Sequence, residues 1–168
     1  KDVPSIKMKR THKGALVATM PGETDSPWRA LTAHVDTLGA MVKEIKSSGR
    51  LKMTKLGGFP WNTVEGEGVT VFTASGETVR GSILLTKASS HVYGQDVNKT
   101  DRKDDTMEVR LDARTASAKE TQELGIEVGD FIVFDPRVEV TNGFVRSRHL
   151  DDKACVANII TALKAIHD

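Results

Sequence analysis

The chain has 168 residues, of which 38% are hydrophobic and 5% aromatic, and its 24 lysines and arginines almost balance its 23 aspartates and glutamates. This composition is typical of a soluble globular protein with enough apolar residues for a core. A net charge of +1 and few aromatic residues argue against a nucleic-acid-binding surface. No apolar run is long enough to predict a transmembrane helix.

The first 38 residues predict a hairpin followed by a buried strand. Residues 5–10 alternate with period two, and after a turn residues 15–19 form an apolar run, which is the pattern of two antiparallel strands. The mostly apolar run 28–33 predicts a strand in the interior of a sheet. It leads directly into His34 and Asp36, which we therefore expect at the carboxyl end of a strand.

Between about residue 39 and residue 130 the sequence changes to short strands separated by turns. The predicted strands cover residues 40–45, 51–54, 69–73, 78–85 and 107–111. Several short strands joined by glycine-containing turns indicate a small β-barrel or sandwich. Residues 91–105 have no periodicity and predict an exposed loop.

Two helices complete the predicted elements. Ser117 and Glu120 form a capping box, in which each side chain satisfies a free backbone N–H group, and Gly125 ends this short helix. Apolar residues at helical spacing predict a longer helix over 153–166. The single cysteine, Cys155, lies beside this apolar stripe and predicts a packed thiol. One cysteine also fits a reducing compartment, so we expect a cytoplasmic protein.

Two clusters of histidine and carboxylate are candidate metal sites, because these ligands together suit zinc, cobalt and manganese. In the first cluster, Asp36 follows His34 and could orient it. In the second, His149 stands before Asp151 and Asp152 at the start of the long helix. Aspartates in that position also have a purely structural interpretation, because they cap helices and interact favourably with the helix dipole. The residues by themselves leave both interpretations open.

Six motifs, in this order, resemble those of a known family. They are AHVDTLG at 33–39, GG at 57–58, EGE at 65–67, VRGSI at 79–83, ELGI with GD at 123–130, and SRHLDDK at 147–153. The chain thereby resembles the dinuclear-metal aminopeptidases, a family that includes glutamyl aminopeptidases, TET aminopeptidases and so-called cellulase-like glucanases. Thr37 is a departure, because the family usually has glutamate there, and we expect it to tune the site.

The resemblance implies a metallo-aminopeptidase, which removes N-terminal residues from peptides with water activated by two divalent ions, namely zinc, cobalt or manganese. It makes His34 a terminal ligand of one metal, Asp36 the carboxylate that orients the site, and Asp151 the bridge between both metals. The family's glutamate base and its other ligands would lie beyond Asp168. The resemblance therefore implies that this chain is a fragment without the general base and is inactive by itself.

The resemblance also implies an architecture, namely an α/β catalytic domain, incomplete here, with an inserted all-β barrel lid. Residues 1–38 and 133–168 would be two pieces of the catalytic domain and residues 39–132 the lid, with residues 131–134 returning the chain to the catalytic sheet. A lid of this kind implies a homo-oligomer, either a dimer or a dodecamer. Peptides are the expected substrates, and we expect neither nucleic acid nor a membrane as a partner.

Three alternative functions remain at this point. The chain could be a catalytically inert lid and oligomerisation module, because the base is missing from it. It could belong to an endoglucanase-type glycoside hydrolase, although such enzymes need paired carboxylates around a sugar and no metal. A nucleic-acid-binding barrel is the third alternative, which the charge balance opposes. The sequence does not determine the preferred N-terminal residue or the native metal.

Overall fold

The structure is a computed structural model that describes residues 6–24 and 26–167. Its strands, in chain order, are β1 (Lys7–Arg10), β2 (Leu16–Thr19), β3 (Gly39–Ile45), β4 (Leu51–Leu56), β5 (Gly68–Phe72), β6 (Thr78–Leu85), β7 (Met107–Leu111), β8 (Phe131–Phe134), β9 (Glu139–Thr141) and β10 (Phe144–Arg146). Its helices are α1 (Ser90–Tyr93), α2 (Asp96–Lys99), α3 (Ala118–Glu123) and α4 (Leu150–His167). The chain forms two compact units, one comprising Lys1–Asp36 with Leu150–Asp168 and the other comprising Thr37–His149.

A closed six-stranded barrel forms the centre of the larger unit. The strands follow the order β3-β4-β7-β6-β5-β8, and every neighbouring pair is antiparallel. Alternate residues point into the barrel, as the period of two in a strand requires. The buried side chains of the strands include Leu51, Met53, Val69, Val71, Ile83, Leu85, Met107, Val109, Ile132 and Phe134. The predicted small β-barrel is thereby confirmed.

Strand β8 belongs to this barrel. Ile132 pairs with Ala40 of β3 on one side and with Val71 of β5 on the other. Residues 131–134 therefore close the barrel, and the expectation that they return the chain to a catalytic sheet is wrong. Without β8, strands β3 and β5 would each have an edge with unpaired backbone N–H and C=O groups. A strand between them forms hydrogen bonds with both edges, and this favours the position of β8 in the barrel. The division of the chain into a lid and catalytic pieces stays a prediction.

The segment between β6 and β7 is more ordered than its sequence suggests. It contains the short helices α1 and α2, and polar side chains attach it to the barrel. Trp61 Nε1 donates a hydrogen bond of 2.7 Å to Asp104 Oδ1, and Arg102 Nε donates one of 2.7 Å to Glu65 Oε2. The prediction that residues 91–105 are irregular is therefore corrected, whereas their predicted exposure is confirmed, because none of them is buried.

The predicted capping box is confirmed at the start of α3. Ser117 Oγ accepts a hydrogen bond of 3.3 Å from the backbone N–H of Glu120. The Glu120 carboxylate accepts one of 2.6 Å from the backbone N–H of Ala116, and this bond is the main cause that lowers the pKa of Glu120. Gly125, with a φ of +83°, follows the helix in the left-handed conformation that a glycine stop provides.

The smaller unit contains the predicted hairpin, because β1 and β2 are antiparallel. The predicted strand over 28–33 is wrong, since no strand occurs among residues 26–38. Trp28 and Leu31 are 78% and 72% exposed. A strand needs a hydrogen-bonding neighbour, and no described residue pairs with this segment.

Helix α4 confirms the predicted long helix, although Asp151 and Asp152 at its start have non-helical dihedral angles and are joined by a cis peptide bond. The prediction of a packed thiol at Cys155 is wrong, because this residue is exposed. A hydrogen bond with Asp152 and the charge of that carboxylate raise the pKa of the thiol. Neither α4 nor any other helix in the described ranges is long and apolar enough to cross a membrane.

Candidate metal site

His34 lies between two carboxylates in the smaller unit. Its Nε2 atom is 3.2 Å from Asp151 Oδ1, and its Nδ1 atom is 3.3 Å from Asp36 Oδ1. His34 and Asp36 lie in the irregular segment that follows residues 28–33, whereas Asp151 lies at the start of α4. The structure therefore brings together the three residues that the resemblance selects. That they bind metal stays a prediction.

Each ring nitrogen of His34 faces a hydrogen-bond acceptor. The Asp36 carbonyl oxygen is 3.2 Å from Nδ1, and a carbonyl oxygen can only accept a hydrogen bond. Nδ1 therefore donates to this oxygen, whereas Nε2 faces the carboxylate of Asp151 and is the ring atom that a metal ion would have to bind. This is the arrangement in which a second residue orients a metal-binding histidine.

Charge also acts on His34. Partial desolvation lowers the pKa of His34, but the hydrogen bond with the Asp36 backbone and the charges of Asp36, Asp151 and Asp152 together raise it above its ordinary value. The same negative potential attracts a divalent cation. All three side chains are accessible, because 51% of His34, 91% of Asp36 and 93% of Asp151 is exposed.

The distance between the two donor atoms fits a shared metal ion. Zinc lies about 2.0–2.1 Å from histidine nitrogen and about 2.0–2.2 Å from carboxylate oxygen, so a nitrogen and an oxygen bound to one ion are at most about 4.3 Å apart. The 3.2 Å between His34 Nε2 and Asp151 Oδ1 satisfies this condition. Within the part of the chain that the structure describes, however, no group of three or more histidine, cysteine, aspartate or glutamate side chains could hold a metal. The residues that the structure describes thus supply an incomplete ligand set.

His149 is not part of this cluster. Its side chain is buried in the larger unit, where Nε2 lies 3.3 Å from the carbonyl oxygen of Phe134. A buried imidazole that contacts a backbone carbonyl has a structural role. The contact with Phe134 therefore gives His149 a structural role, which the sequence did not indicate.

An ion pair that the sequence did not predict connects two of the six family motifs. Glu67 of the EGE motif lies 2.8 Å from Arg148 Nη2, which belongs to the SRHLDDK motif, and 2.9 Å from Arg137 Nη2. Glu65 of the first motif pairs instead with Arg102. The motifs contain Glu65, Glu67 and Arg148, but no local pattern in the sequence indicates which charged side chains form pairs.

A comparison with known protein families finds one that matches most of the chain. The M42 glutamyl aminopeptidase family matches residues 14–168 of this chain. A candidate aminopeptidase of Bacillus subtilis, YhfE, is 54% identical over 164 residues, which cover 97% of this chain and 46% of YhfE. The chain thus spans about half the length of the curated relatives it matches.

Solved structures share the fold. A TET aminopeptidase from the marine-sediment archaeon Thaumarchaeota archaeon SCGC AB-539-E09 is 25% identical with a TM-score of 0.82, over 97% of this chain and 45% of that one. The TET1 peptidase of Pyrococcus horikoshii, which can assemble into a tetrahedron or a large octahedral shell, is 28% identical with a TM-score of 0.76, over 99% and 48% of the two chains. An endoglucanase of Thermotoga maritima is 21% identical with a TM-score of 0.72, over 95% of this chain and 44% of that one. At this identity the similarity concerns the fold alone.

Proposed function

Because the chain belongs to the M42 glutamyl aminopeptidase family, we propose that it takes part in the metal-dependent removal of N-terminal residues from peptides. The observation that carries this proposal is the pair formed by His34 and Asp151, whose donor atoms lie 3.2 Å apart inside the two motifs that mark the family. The aminopeptidase names of the relatives support the reaction class.

We assign three roles to this chain. His34 binds a metal through Nε2, and Asp36 holds the imidazole in the required tautomer through the contact at Nδ1. Asp151 would hold the same ion and would also be the residue shared with a second ion, and its carboxylate is 93% exposed. When bound, the divalent metals polarise the scissile carbonyl and lower the pKa of water.

The proton that leaves the water requires a general base. We assign this role to a glutamate in the half of the relatives that the chain does not cover. The remaining metal ligands are assigned to the same part. In this proposal the residues on either side of the barrel supply two pieces of an α/β catalytic domain.

We propose that the barrel unit is the lid, and that the protein forms homo-oligomers through it. The resemblance limits the lid to residues 39–132, but β8 extends the barrel to Phe134. Phe72 and Phe131 are paired residues on neighbouring strands, and their side chains are 44% and 54% exposed on the outside of the barrel. Such an apolar pair is suited to contact with another protein surface. The assembly of the TET1 peptidase supports this proposal.

An activity assay of the full-length protein tests the proposed reaction. We expect it to release the anilide from aminoacyl anilides in the presence of zinc or cobalt. A chelator should abolish the activity, and added metal should restore it. Hydrolysis of cello-oligosaccharides without hydrolysis of any anilide would contradict the proposal in favour of the glycoside hydrolase.

A second candidate function is supported by the incomplete ligand set. In this case the 168-residue chain is an inert lid and oligomerisation module. Light scattering should then show a dimer or a larger assembly of this chain, and the chain should not hydrolyse anilides. A monomer would count against a role in association, whereas peptidase activity would refute the inertness.

A further inference from the structure

We propose that Glu67 and Arg148 form a clamp that positions the chain leading into Asp151. The two residues are positioning residues for the metal site, and this inference rests on the function proposed above. The clamp lies within the barrel unit, and it acts on Asp151 through the covalent chain, because Arg148 precedes Asp151 by three residues.

The backbone of Glu67 is held in place by the barrel. Its N–H group donates a hydrogen bond of 3.1 Å to the carbonyl oxygen of Val64, and its carbonyl oxygen accepts one of 2.9 Å from Ile83. The carboxylate of Glu67 is only 12% exposed, and its Oε1 atom lies between Arg148 and Arg137. A carboxylate on such a rigid support can fix the position of the cations that it binds.

Arg148 is attached to the barrel by both its backbone and its side chain. The backbone N–H donates a hydrogen bond of 2.8 Å to the carbonyl oxygen of Pro136, while Nη1 and Nη2 lie 3.3 and 3.4 Å from the carbonyl oxygen of Thr63. The Nε atom is buried with no partner among the described residues, and the side chain is 16% exposed. A largely buried guanidinium needs its carboxylate, because an unpaired buried charge is unfavourable.

The next residue adds a third attachment point. His149 Nε2 contacts the carbonyl oxygen of Phe134, so two consecutive residues are fixed immediately before the chain reaches Leu150 and Asp151. Only Leu150 separates these two attached residues from Asp151 in the sequence, so the backbone that enters Asp151 starts from a fixed point. The position of the Asp151 carboxylate depends on the backbone that leads into it, and a shift of about 1 Å in a catalytic group can reduce a rate about a hundredfold.

A purely stabilising ion pair would have the same geometry, and the chain contains a matched control. Glu65 and Arg102 form a second partly buried pair, with exposures of 30% and 25% and a distance of 2.7 Å. Glu65 lies two residues before Glu67. Arg102, however, belongs to the segment between β6 and β7 and does not lead into the metal site. Loss of this second pair should reduce stability without any effect on Asp151.

The test compares variants of the full-length protein with bound metal. We expect Glu67→Gln and Arg148→Gln each to lower kcat about tenfold with KM unchanged. The double variant should be no worse than either single variant, because the two residues act as one unit. Arg148→Lys should retain an intermediate kcat, since it keeps the charge but loses the planar fork. The control Glu65→Gln should have the kcat of the unmodified protein.

Hydrogen exchange supplies a measurement that does not depend on activity. The amide of Arg148 and those of the residues that follow it should exchange faster in Glu67→Gln than in Glu65→Gln, and metal should be lost to a competing chelator about tenfold more readily. Unchanged exchange and metal retention, or a kcat within twofold of the control, would overturn the clamp. If the unmodified protein cleaves no anilide, the proposed function fails, and exchange with metal retention still decides whether the clamp exists.

Discussion

Thr121 donates a hydrogen bond of 2.8 Å from its hydroxyl to the carbonyl oxygen of Gly49, which lies 72 residues earlier in the chain. Both residues are buried, so this bond attaches helix α3 to the turn between β3 and β4. Gly49 has a φ of +79°, and a Cβ atom there would lie 2.9 Å from Thr121 Oγ1. A glycine is therefore required at this position, because its φ is positive and because no room is left for a Cβ atom beside Thr121.

Removal of the Thr121 hydroxyl should destabilise the barrel unit. Thr121→Val has nearly the same shape but leaves the Gly49 carbonyl oxygen buried and unpaired, so we expect a loss of about 1–3 kcal/mol in the free energy of unfolding. Thr121→Ser keeps the donor and serves as the control. Urea unfolding measures both variants. Equal stability of the valine variant and the unmodified protein would mean that the bond does not contribute.

The pair formed by Arg80 and Asp135 should make stability depend on pH. Two hydrogen bonds of 2.6 Å connect the guanidinium with the carboxylate, and they hold the pKa of Asp135 below its ordinary value. A depressed pKa stabilises the folded state above the unfolded value, about 3.9 for aspartate. This stabilisation is lost as the pH falls from there through the folded pKa.

Asp135→Asn should therefore lower the Tm at pH 7, and the difference from the unmodified protein should shrink as the pH falls below about 3.9. Glu123→Gln is the control, because Glu123 forms an exposed pair with Lys119, and such pairs contribute little. A difference in Tm that stays constant down to pH 2 would contradict the assigned role of Asp135.

Substitutions at the candidate metal site should affect activity to different degrees. In the full-length protein we expect His34→Ala and Asp151→Asn to abolish hydrolysis of anilides, because each removes a metal ligand. Asp36→Asn should only reduce it, since this residue orients His34. His12→Ala, in the exposed turn between β1 and β2, is the matched control. Full activity of Asp151→Asn would refute the assigned bridge.

The 168-residue chain should not retain metal tightly. A structural zinc site has four protein ligands and a catalytic site three, whereas His34 and Asp151 supply only two donor atoms here. Water would have to fill the remaining positions, and the affinity should fall accordingly. Emission spectroscopy after dialysis measures the bound metal. Two retained equivalents per chain would show that the ligands are misassigned.

Some elements follow from the sequence by itself, because local properties determine them. Strands β6 and β7 have the predicted bounds, since alternation with period two is a property of consecutive residues. The capping box at Ser117 likewise depends on residues three apart. The hairpin of β9 and β10 was not predicted, although a local pattern indicates it. Asn142-Gly143 at its turn is a pair that favours positive φ. The family motifs selected His34, Asp36 and Asp151.

The tertiary structure decided everything that depends on a distant partner. An apolar run becomes a strand only where another strand offers hydrogen bonds, and therefore residues 131–134 close the barrel while residues 28–33 form no strand. The contact between His34 and Asp151 and the clamp of Glu67 with Arg148 depend on the same kind of information. The charge and hydropathy of a residue limit the kinds of side chain that it can bind, but only the folded chain determines which of them lies close enough to form a contact.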